Sequence, residues 1–495
     1  MKIRYIVAAG LMALMSMSSC TDEFLGITQE NTAPTEELNY ADKSQMYGPV
    51  SGVYGTTRRR MSQWEIWPLL NVRGDEVTKG GGSDNDQFDY LNVERFNYGA
   101  IKGFWALNNS WNALYNIVYT TYNNEALLNR FREHLTDEAD IELGNQYEAE
   151  IRFHRALAYF FISNLWGDVP LVDFENLMRL DLPKVKQAGV REFIHSELDY
   201  CIEHLPAGRP DQQSHQGAVT KYTAMALKAK VALYEEDYAT VKNLTDKIIS
   251  EGGFSLYSDY YNLFKIPGKL APESLYELQF TDFGNGDGDQ VYGGAWFQHQ
   301  GPRGNAAPVN GWGFMILEGG FLDFLNERND STRWDVAVLE SGATTPAGDE
   351  IAEFVPSYLD GLKAHYNGKA YTPKNQLTEG RNNYGANNNI RVLRYADVLL
   401  MNAEANLKVG GDAATPLNEV RVRAGLEPIG SPTLDDIINE RRAEFSCEWG
   451  DRFMDLVRTG KAQSVLPGFI PGESEFLPIP LAQEDLNPLL REPAI

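Results

Sequence analysis

Residues 219–250 most constrain the fold, because they predict two helices packed closely against each other. The first segment, 219–235, is dense in alanine at Ala224, Ala226, Ala229 and Ala232. Such small side chains let a second helix approach closely. Asp237 and Tyr238 break the pattern, and 239–250 supply the second helix. A helix, a short acidic break and a second helix resemble a tetratricopeptide hairpin.

The same arrangement appears elsewhere in the chain. Residues 394–409 and 415–424 repeat it around Gly410 and Gly411. Residues 105–130, 146–166 and 190–204 supply candidate helices for further units, and 146–166 carry apolar groups at helical spacing. These units do not follow one another in tandem. The sequence therefore predicts a mainly helical protein and argues against a simple solenoid.

Two glycine-rich segments interrupt the helical pattern but keep large aromatic side chains. Residues 281–315 contain Tyr292, Trp296, Phe297 and Trp312 among many glycines and prolines, which break any regular period. Residues 62–90 form a second zone, with two tryptophans followed by a run of glycines. Long loops that retain large rings are more often functional than simple connections.

The first twenty residues have the pattern of an export signal. Lys2 and Arg4 precede an apolar run, 5–15, that is too short to span a membrane, and small serines then lead to Cys20. A cysteine at this place resembles a bacterial lipobox, so residues 1–19 are predicted to be a signal peptide and Cys20 an acylated anchor. The alternative is an ordinary secretory signal with a chance cysteine.

The overall composition excludes some partners. Lys and Arg total 44 against 69 Asp and Glu, giving a formal charge of -25. Such a surface repels nucleic acid and anionic lipid. The chain has three cysteines. Cys201 lies on the apolar face of a predicted helix and is expected to be buried, although a disulfide with Cys447 is an alternative in an oxidising compartment.

Several motifs in order along the chain carry a family resemblance. They are similar to hallmarks of the SusD/RagB family of surface nutrient-binding lipoproteins, and they extend over nearly the whole chain after the signal. The motifs are Glu150-Ile-Arg-Phe-His-Arg with Trp166-Gly-Asp-Val-Pro-Leu, Glu273-Ser-Leu-Tyr-Glu-Leu, Arg394-Tyr-Ala-Asp with Asn402-Ala-Glu, Leu417-Asn-Glu-Val-Arg with Arg423-Ala-Gly-Leu, Glu440-Arg-Arg-Ala-Glu-Phe with Arg452-Phe-Met-Asp-Leu, and Leu477-Pro-Ile-Pro with Asn487-Pro. The ending, Arg491-Glu-Pro-Ala-Ile495, departs from the common pattern of the family.

The resemblance implies a fold and a domain plan. It implies a helical body of about four tetratricopeptide-like hairpins, with a loop-rich second half and few short strands. The corresponding regions are 20–270, the N-terminal SusD-like part, and 271–495, the C-terminal part. Hallmark residues such as Arg155, Asp168 and Arg394 are expected to be structural, because a buried pairing of arginine with carboxylate between helices is a sufficient reason for them.

The resemblance also implies a role, a location and partners. The chain is expected to be lipid-anchored in the outer membrane and exposed at the cell surface. There it would capture oligosaccharides and hand them to a SusC-like TonB-dependent transporter. Two alternatives stay open: the same fold binding peptides, and a helical scaffold for protein interactions without a small ligand.

The chemistry of sugars selects the candidate binding residues. A sugar ring has a face of C–H groups, which a flat aromatic ring matches, and an edge of hydroxyls, which polar side chains match. Trp296, Trp312 and Tyr292 meet the first need. The second is met by the polar residues of the other loop, Arg73, Asp84, Asn85 and Asp86. The alternative is that one or both tryptophans are buried in the core.

The sequence argues against an enzyme and leaves one metal question open. It contains no nucleophile elbow, zinc-protease motif, Walker loop or dinucleotide-binding motif, and its histidines show no ligand spacing. No cofactor is expected. Oxygen ligands at Asp282, Asn285, Asp287 and Asp289 resemble part of a calcium loop. The pattern lacks the glycine and the closing glutamate of such loops, so a solvated loop is the alternative.

Overall fold

The computed structural model describes residues 38–280, 294–306, 308–377 and 387–495. They form a mostly helical protein with a few short strands. The helices are α1 (Gly48–Met61), α2 (Ile66–Asn71), α3 (Phe88–Glu94), α4 (Trp105–Arg132), α5 (Glu138–Trp166), α6 (Gln187–His204), α7 (Lys221–Tyr234), α8 (Tyr238–Glu251), α9 (Tyr260–Leu263), α10 (Gly294–Gln300), α11 (Gly319–Glu327), α12 (Ser331–Ala337), α13 (Tyr395–Val409), α14 (Ala414–Arg423), α15 (Leu434–Phe445), α16 (Asp451–Arg458), α17 (Ala462–Val465) and α18 (Leu481–Leu486). The strands are β1 (Ser274–Leu278), β2 (Val338–Glu340), β3 (His365–Asn367) and β4 (Ile390–Arg394).

The long helices pack one after another. Helix α1 contacts α4, α4 contacts α5, and the series continues through α6, α7, α8 and α13 to α14. This order contains four neighbouring pairs: α1 with α4, α5 with α6, α7 with α8, and α13 with α14. The mainly helical fold is thereby confirmed. The tetratricopeptide-like character of the pairs stays a prediction.

Local sequence explains where these helices begin and end. The Thr220 hydroxyl accepts a hydrogen bond from the Thr223 amide at the start of α7, and Asp237 caps α8 through the Thr240 amide. Asp137 caps α5, which ends at Gly167, where φ is 70°. The alanines of α7 are buried, as the close approach of α8 requires.

Buried ion pairs connect elements that lie far apart in the sequence. Arg155 on α5 pairs with Glu197 on α6 at 3.1 Å and with Glu125 on α4. The Arg394 guanidinium pairs with three carboxylates of the C-terminal half at 2.6–2.8 Å, namely Glu273, Glu444 and Glu448. The Asp168 carboxylate accepts a hydrogen bond from the Gln187 amide at 2.9 Å, at the start of α6. The prediction of a structural role through ion pairs is confirmed for Arg155 and Arg394, whereas the half-buried Asp168 holds the start of α6 through a backbone hydrogen bond.

A shared core joins the two regions expected from the sequence. The Trp449 ring lies 4.0 Å from that of Trp67 and 5.2 Å from that of Phe161, between ring centroids. Strand β1 pairs antiparallel with β4, and β2 pairs antiparallel with β3. The division at residue 270 stays a prediction, but the packing of the described residues crosses it.

The described cysteines are buried and unpaired. Cys201 and Cys447 are both free thiols, which excludes the alternative of a disulfide between them. Cys201 is completely buried on α6, as expected, and its thiol donates to the Ala149 carbonyl at 3.1 Å. Within the described ranges, no helix has the length and apolar character needed to cross a membrane.

Candidate functional site

The two glycine-rich segments meet in a short antiparallel bridge. Residues 77–81 pair with residues 313–317, through bridges of Val77 with Leu317 and of Gly80 with Phe314. The Gly81 amide donates to the Gly313 carbonyl at 2.7 Å, and the Met315 amide donates to the Lys79 carbonyl at 2.9 Å. We call these two segments the two-strand bridge. The bridge places the two segments that the sequence singles out side by side.

Lys79 organises the polar loop that follows the first strand of the bridge. Its ammonium is buried and donates to the carbonyls of Gly80, Ser83 and Asp86 at 2.9–3.0 Å. Burial lowers the pKa of this group. The three carbonyls hold the loop in a closed turn. Asp84 and Asn85 are exposed at its tip.

Arg303 links this polar loop to Trp312. Its guanidinium lies 3.6 Å from the Asp86 carboxylate and donates to the Trp312 carbonyl at 2.7 Å. The same carboxylate oxygen of Asp86 also accepts a hydrogen bond from the Gly82 amide at 2.8 Å. The carboxylate of one loop and the backbone of the other are therefore held by one side chain.

Two exposed tryptophans and a half-buried third form an aromatic surface next to this polar loop. The ring of Trp64 lies 5.1 Å from that of Trp105 and 5.7 Å from that of Trp312, both edge to face. Trp105 and Trp312 are 40% and 36% exposed, which is high for tryptophan. We call Trp64, Trp105 and Trp312 the aromatic surface.

A buried histidine supports the aromatic surface from below. The His299 ring packs against the rings of both Trp64, at 4.9 Å, and Phe314, at 4.7 Å, and it is completely buried. Neither ring nitrogen has a hydrogen-bond partner among the described residues. Burial lowers the pKa of His299 to about 3, so the ring is neutral at physiological pH. It acts as a flat packing group.

The structure separates the predicted binding residues into two groups. Trp312 and the loop residues Asp84, Asn85 and Asp86 lie at the surface, on the two joined segments. Trp296 and Arg73 are 6% and 1% exposed and face the interior, which corrects their expected place on the surface.

Packing explains both corrections. The Trp296 ring lies 5.0 Å from that of the buried Trp67. The Arg73 guanidinium donates to the backbone carbonyls of Leu69 and Glu475 and lies 4.2 Å over the Phe453 ring. These contacts use both side chains inside the core.

The remaining predicted residues lie outside the described residues. They are Cys20, Tyr292 and the four calcium candidates Asp282, Asn285, Asp287 and Asp289. In the part of the chain that the structure describes, no group of three or more histidine, cysteine, aspartate or glutamate side chains could hold a metal ion.

Sequence reasoning missed three members of this site. They are Trp64, Trp105 and Arg303, none of which is a candidate binding residue on the sequence alone. One signal for Trp105 was available: it shares a helical face with several asparagines at spacings of three and four residues, which is a polar face for so large a ring. Nothing in the local sequence of Arg303 indicates its contact with Asp86, which is 217 positions away.

The arrangement matches the two chemical surfaces of a sugar. The indole rings offer flat apolar faces, and the loop of Asp84, Asn85 and Asp86 offers hydrogen-bonding groups beside them. The site is open and built on the two-strand bridge. The described residues of this site show no paired general acid and base with a hydrogen-bonded nucleophile.

Comparison with known proteins finds similarity to one family. A sequence model of the SusD family matches residues 358–488. The SusD-like protein P25 of Formosa agariphila is 27% identical over 78% of each chain. The starch-binding protein SusD of Bacteroides thetaiotaomicron is 26% identical over 63% of this chain and 64% of its own.

Solved structures share the fold. The surface glycan-binding protein A from Bacteroides thetaiotaomicron superposes with a TM-score of 0.74 at 25% identity, over 90% of this chain and 98% of its own. The likeness thus extends over the helical body and the loop-rich half together. The matched C-terminal region, the relatives and the common fold support the resemblance to the SusD/RagB family that the motifs indicate.

Proposed function

We propose that the protein is a cell-surface binding lipoprotein that captures oligosaccharides on its aromatic surface. The observation that carries this proposal is the group of exposed Trp105 and Trp312 around half-buried Trp64, beside a polar loop that Lys79 and Arg303 hold in place. Rings of this size are rarely left open to water without a partner. Sugars need both the flat faces and the polar edge.

The relatives support the choice of ligand class. One is named for binding starch, and a structure with the same fold is named for binding glycans. The ligand would be an uncharged glycan, because the strong negative charge of the protein disfavours acidic sugars.

The proposal includes a place and a partner. Cys20 would carry the lipid that holds the protein in the outer membrane, with the body exposed at the cell surface. The captured glycan would pass to a TonB-dependent transporter of the SusC type. Both statements rest on the family and on the signal-like N-terminus.

The experiment is a glycan array with the soluble body, residues 21–495, followed by calorimetry on the best ligand. Replacing Trp312→Ala removes one exposed ring and should weaken binding about tenfold, since an aromatic stacking contact contributes roughly 1–2 kcal/mol. The melting temperature is measured alongside, because the ring is 36% exposed and its covered part packs against Trp64.

Phe476→Ala is the matched control, because Phe476 is 38% exposed and lies outside the aromatic surface. The affinity of the Phe476→Ala variant for the glycan should equal that of the unmodified protein. Unchanged affinity in the Trp312 variant would place the ligand elsewhere. If the soluble body binds peptides and none of the glycans on the array, the peptide alternative is favoured.

A further inference from the structure

A row of asparagines extends from the aromatic surface along α4. Asn108, Asn112 and Asn116 are spaced by four residues, so they lie on one side of the helix with a rise of about 6 Å between neighbours. Asn112 is exposed and the other two are half-buried. We call these three residues the amide row.

Neighbouring side chains fix the orientation of each amide. The Gln483 amide nitrogen donates to the Asn108 side-chain oxygen at 2.8 Å and to that of Asn112 at 3.0 Å. The Arg60 Nε donates to the Asn116 oxygen at 2.8 Å. All three oxygens are thereby engaged.

The three amide nitrogens remain available for a ligand. Within the described ranges, none of them donates a hydrogen bond to the protein. Each carries two N–H groups, so the row presents unused donors, whereas each amide oxygen already accepts one hydrogen bond. Such donors suit the hydroxyl and ring oxygens of a sugar chain.

Two members of the amide row also line a cleft. A cavity of about 300 Å³ is lined by Asn112, Asn116 and Gln483, and by the aromatic residues Tyr115 and Tyr119 of the same helix. Leu486 on α18 forms part of its other wall and is exposed. The cleft therefore combines amide donors with rings.

The row and the aromatic surface are continuous. Trp105 is the first residue of α4, and Asn108 follows it by one turn on the same face. Helix α18 lies beside this turn, through the Leu481 amide bonded to the Lys102 carbonyl at 2.8 Å and an ion pair of Lys102 with Glu484 at 2.8 Å. A chain bound over Trp105 would meet the row next.

We propose that the amide row binds further sugar units of the same glycan chain that occupies the aromatic surface. This inference rests on the proposed function and adds to it a preference for longer chains. A trisaccharide is held by the rings alone. A hexasaccharide reaches the row and the cleft of Tyr119.

The test compares short and long ligands in a variant that removes only the donors. In the double variant Asn108→Asp and Asn112→Asp, the carboxylates still accept from Gln483 but donate nothing. We measure affinities for laminaritriose, laminarihexaose, maltotriose and maltohexaose by calorimetry. The unmodified protein should bind the hexamer of its series more tightly than the trimer. The variant should lose roughly tenfold for the hexamer, from two lost hydrogen bonds, and nothing for the trimer.

Asn326→Asp controls for the added charge, because Asn326 is exposed on α11 and outside the row. It should leave both affinities unchanged. Equal affinities of the unmodified protein for trimer and hexamer, or a variant that keeps the full hexamer affinity, would overturn the inference while leaving the proposed function intact. If the unmodified protein binds none of the four sugars, the inference as stated is overturned. The glycan array then decides whether the proposed function fails as well.

Discussion

At the scale of single residues, Glu150 stands out among the buried groups. It lies completely buried on α5 and accepts hydrogen bonds from the hydroxyls of Tyr54 at 2.9 Å and Tyr47 at 3.3 Å. Among the described residues, no lysine, arginine or histidine side chain forms an ion pair with Glu150. Burial raises the pKa of Glu150 to about 7, because the charged form loses its water.

This carboxyl should make stability depend on pH. An acid whose pKa is raised on folding stabilises the fold fully below its unfolded pKa, about 4.5, and loses that contribution as pH rises through 7. Glu150→Gln cannot ionise and should remove the loss. Between pH 5 and 8, the free energy of unfolding of the unmodified protein should fall by about 2 kcal/mol relative to that of the variant.

Denaturant unfolding at several pH values measures this difference. Glu203→Gln, at an exposed glutamate of α6, is the control and should track the unmodified protein. If the free energies of unfolding of the Glu150 variant and the unmodified protein differ by the same amount at every pH in this range, the prediction is contradicted.

At the scale of elements, the two-strand bridge decides where the binding groups lie. Gly80 has a φ of +67°, and a Cβ at this position would lie 2.7 Å from the Gly313 carbonyl oxygen and 2.9 Å from the Met315 amide. Glycine lets the two backbones approach so closely. The loop of Asp84–Asp86 and the ring of Trp312 depend on this approach.

Gly80→Ala should force the two strands apart. Gly253 has the same φ but open space where its Cβ would be, so Gly253→Ala measures the cost of the backbone conformation alone, about 1–2 kcal/mol. The Gly80 variant should lose about 1–3 kcal/mol more, and its glycan affinity should fall while that of the Gly253 variant does not. Equal melting temperatures and equal affinities in the two variants would show that the close approach is dispensable.

At the scale of the whole molecule, the proposal describes an acidic body tethered at one end. The formal charge of -25 keeps such a body soluble and away from anionic surfaces, so its attachment to a membrane needs a specific anchor. More than one acyl chain at Cys20 would supply it. Under the proposed function, a partner that receives the glycan would meet the body at a fixed location.

We expect the full-length protein to co-purify with a TonB-dependent transporter from membranes in mild detergent, in keeping with a stable interface.

Cys20→Ala should release the body or leave an unprocessed precursor, because the thiol that carries the lipid is lost. Ser16→Ala, in the same segment, is the control and should leave fractionation unchanged. A Cys20 variant of normal mature size that stays in the detergent phase would contradict the anchor, and pull-downs without a transporter of this type would contradict the partner.

The sequence by itself determined the class of fold and its internal supports. Helical spacing and alanines predicted the pair α7 and α8, and the family motifs predicted that Arg155 and Arg394 are structural, which the ion pairs confirm. These features are local, or are set by motifs that occur in order along the chain. The chemistry of sugars also selected residues on both glycine-rich segments, including Asp84 and Trp312, as candidates for one site.

Only the tertiary structure decided which rings face water. Trp296 and Trp312 lie in one glycine-rich segment, yet the first packs against Trp67 and the second is open beside Trp64. A glycine-rich loop has no period from which burial can be inferred. Trp105 and Arg303 reach the site through contacts across long separations in the chain. The binding surface is set by the packing of distant segments, which no local pattern in the sequence records.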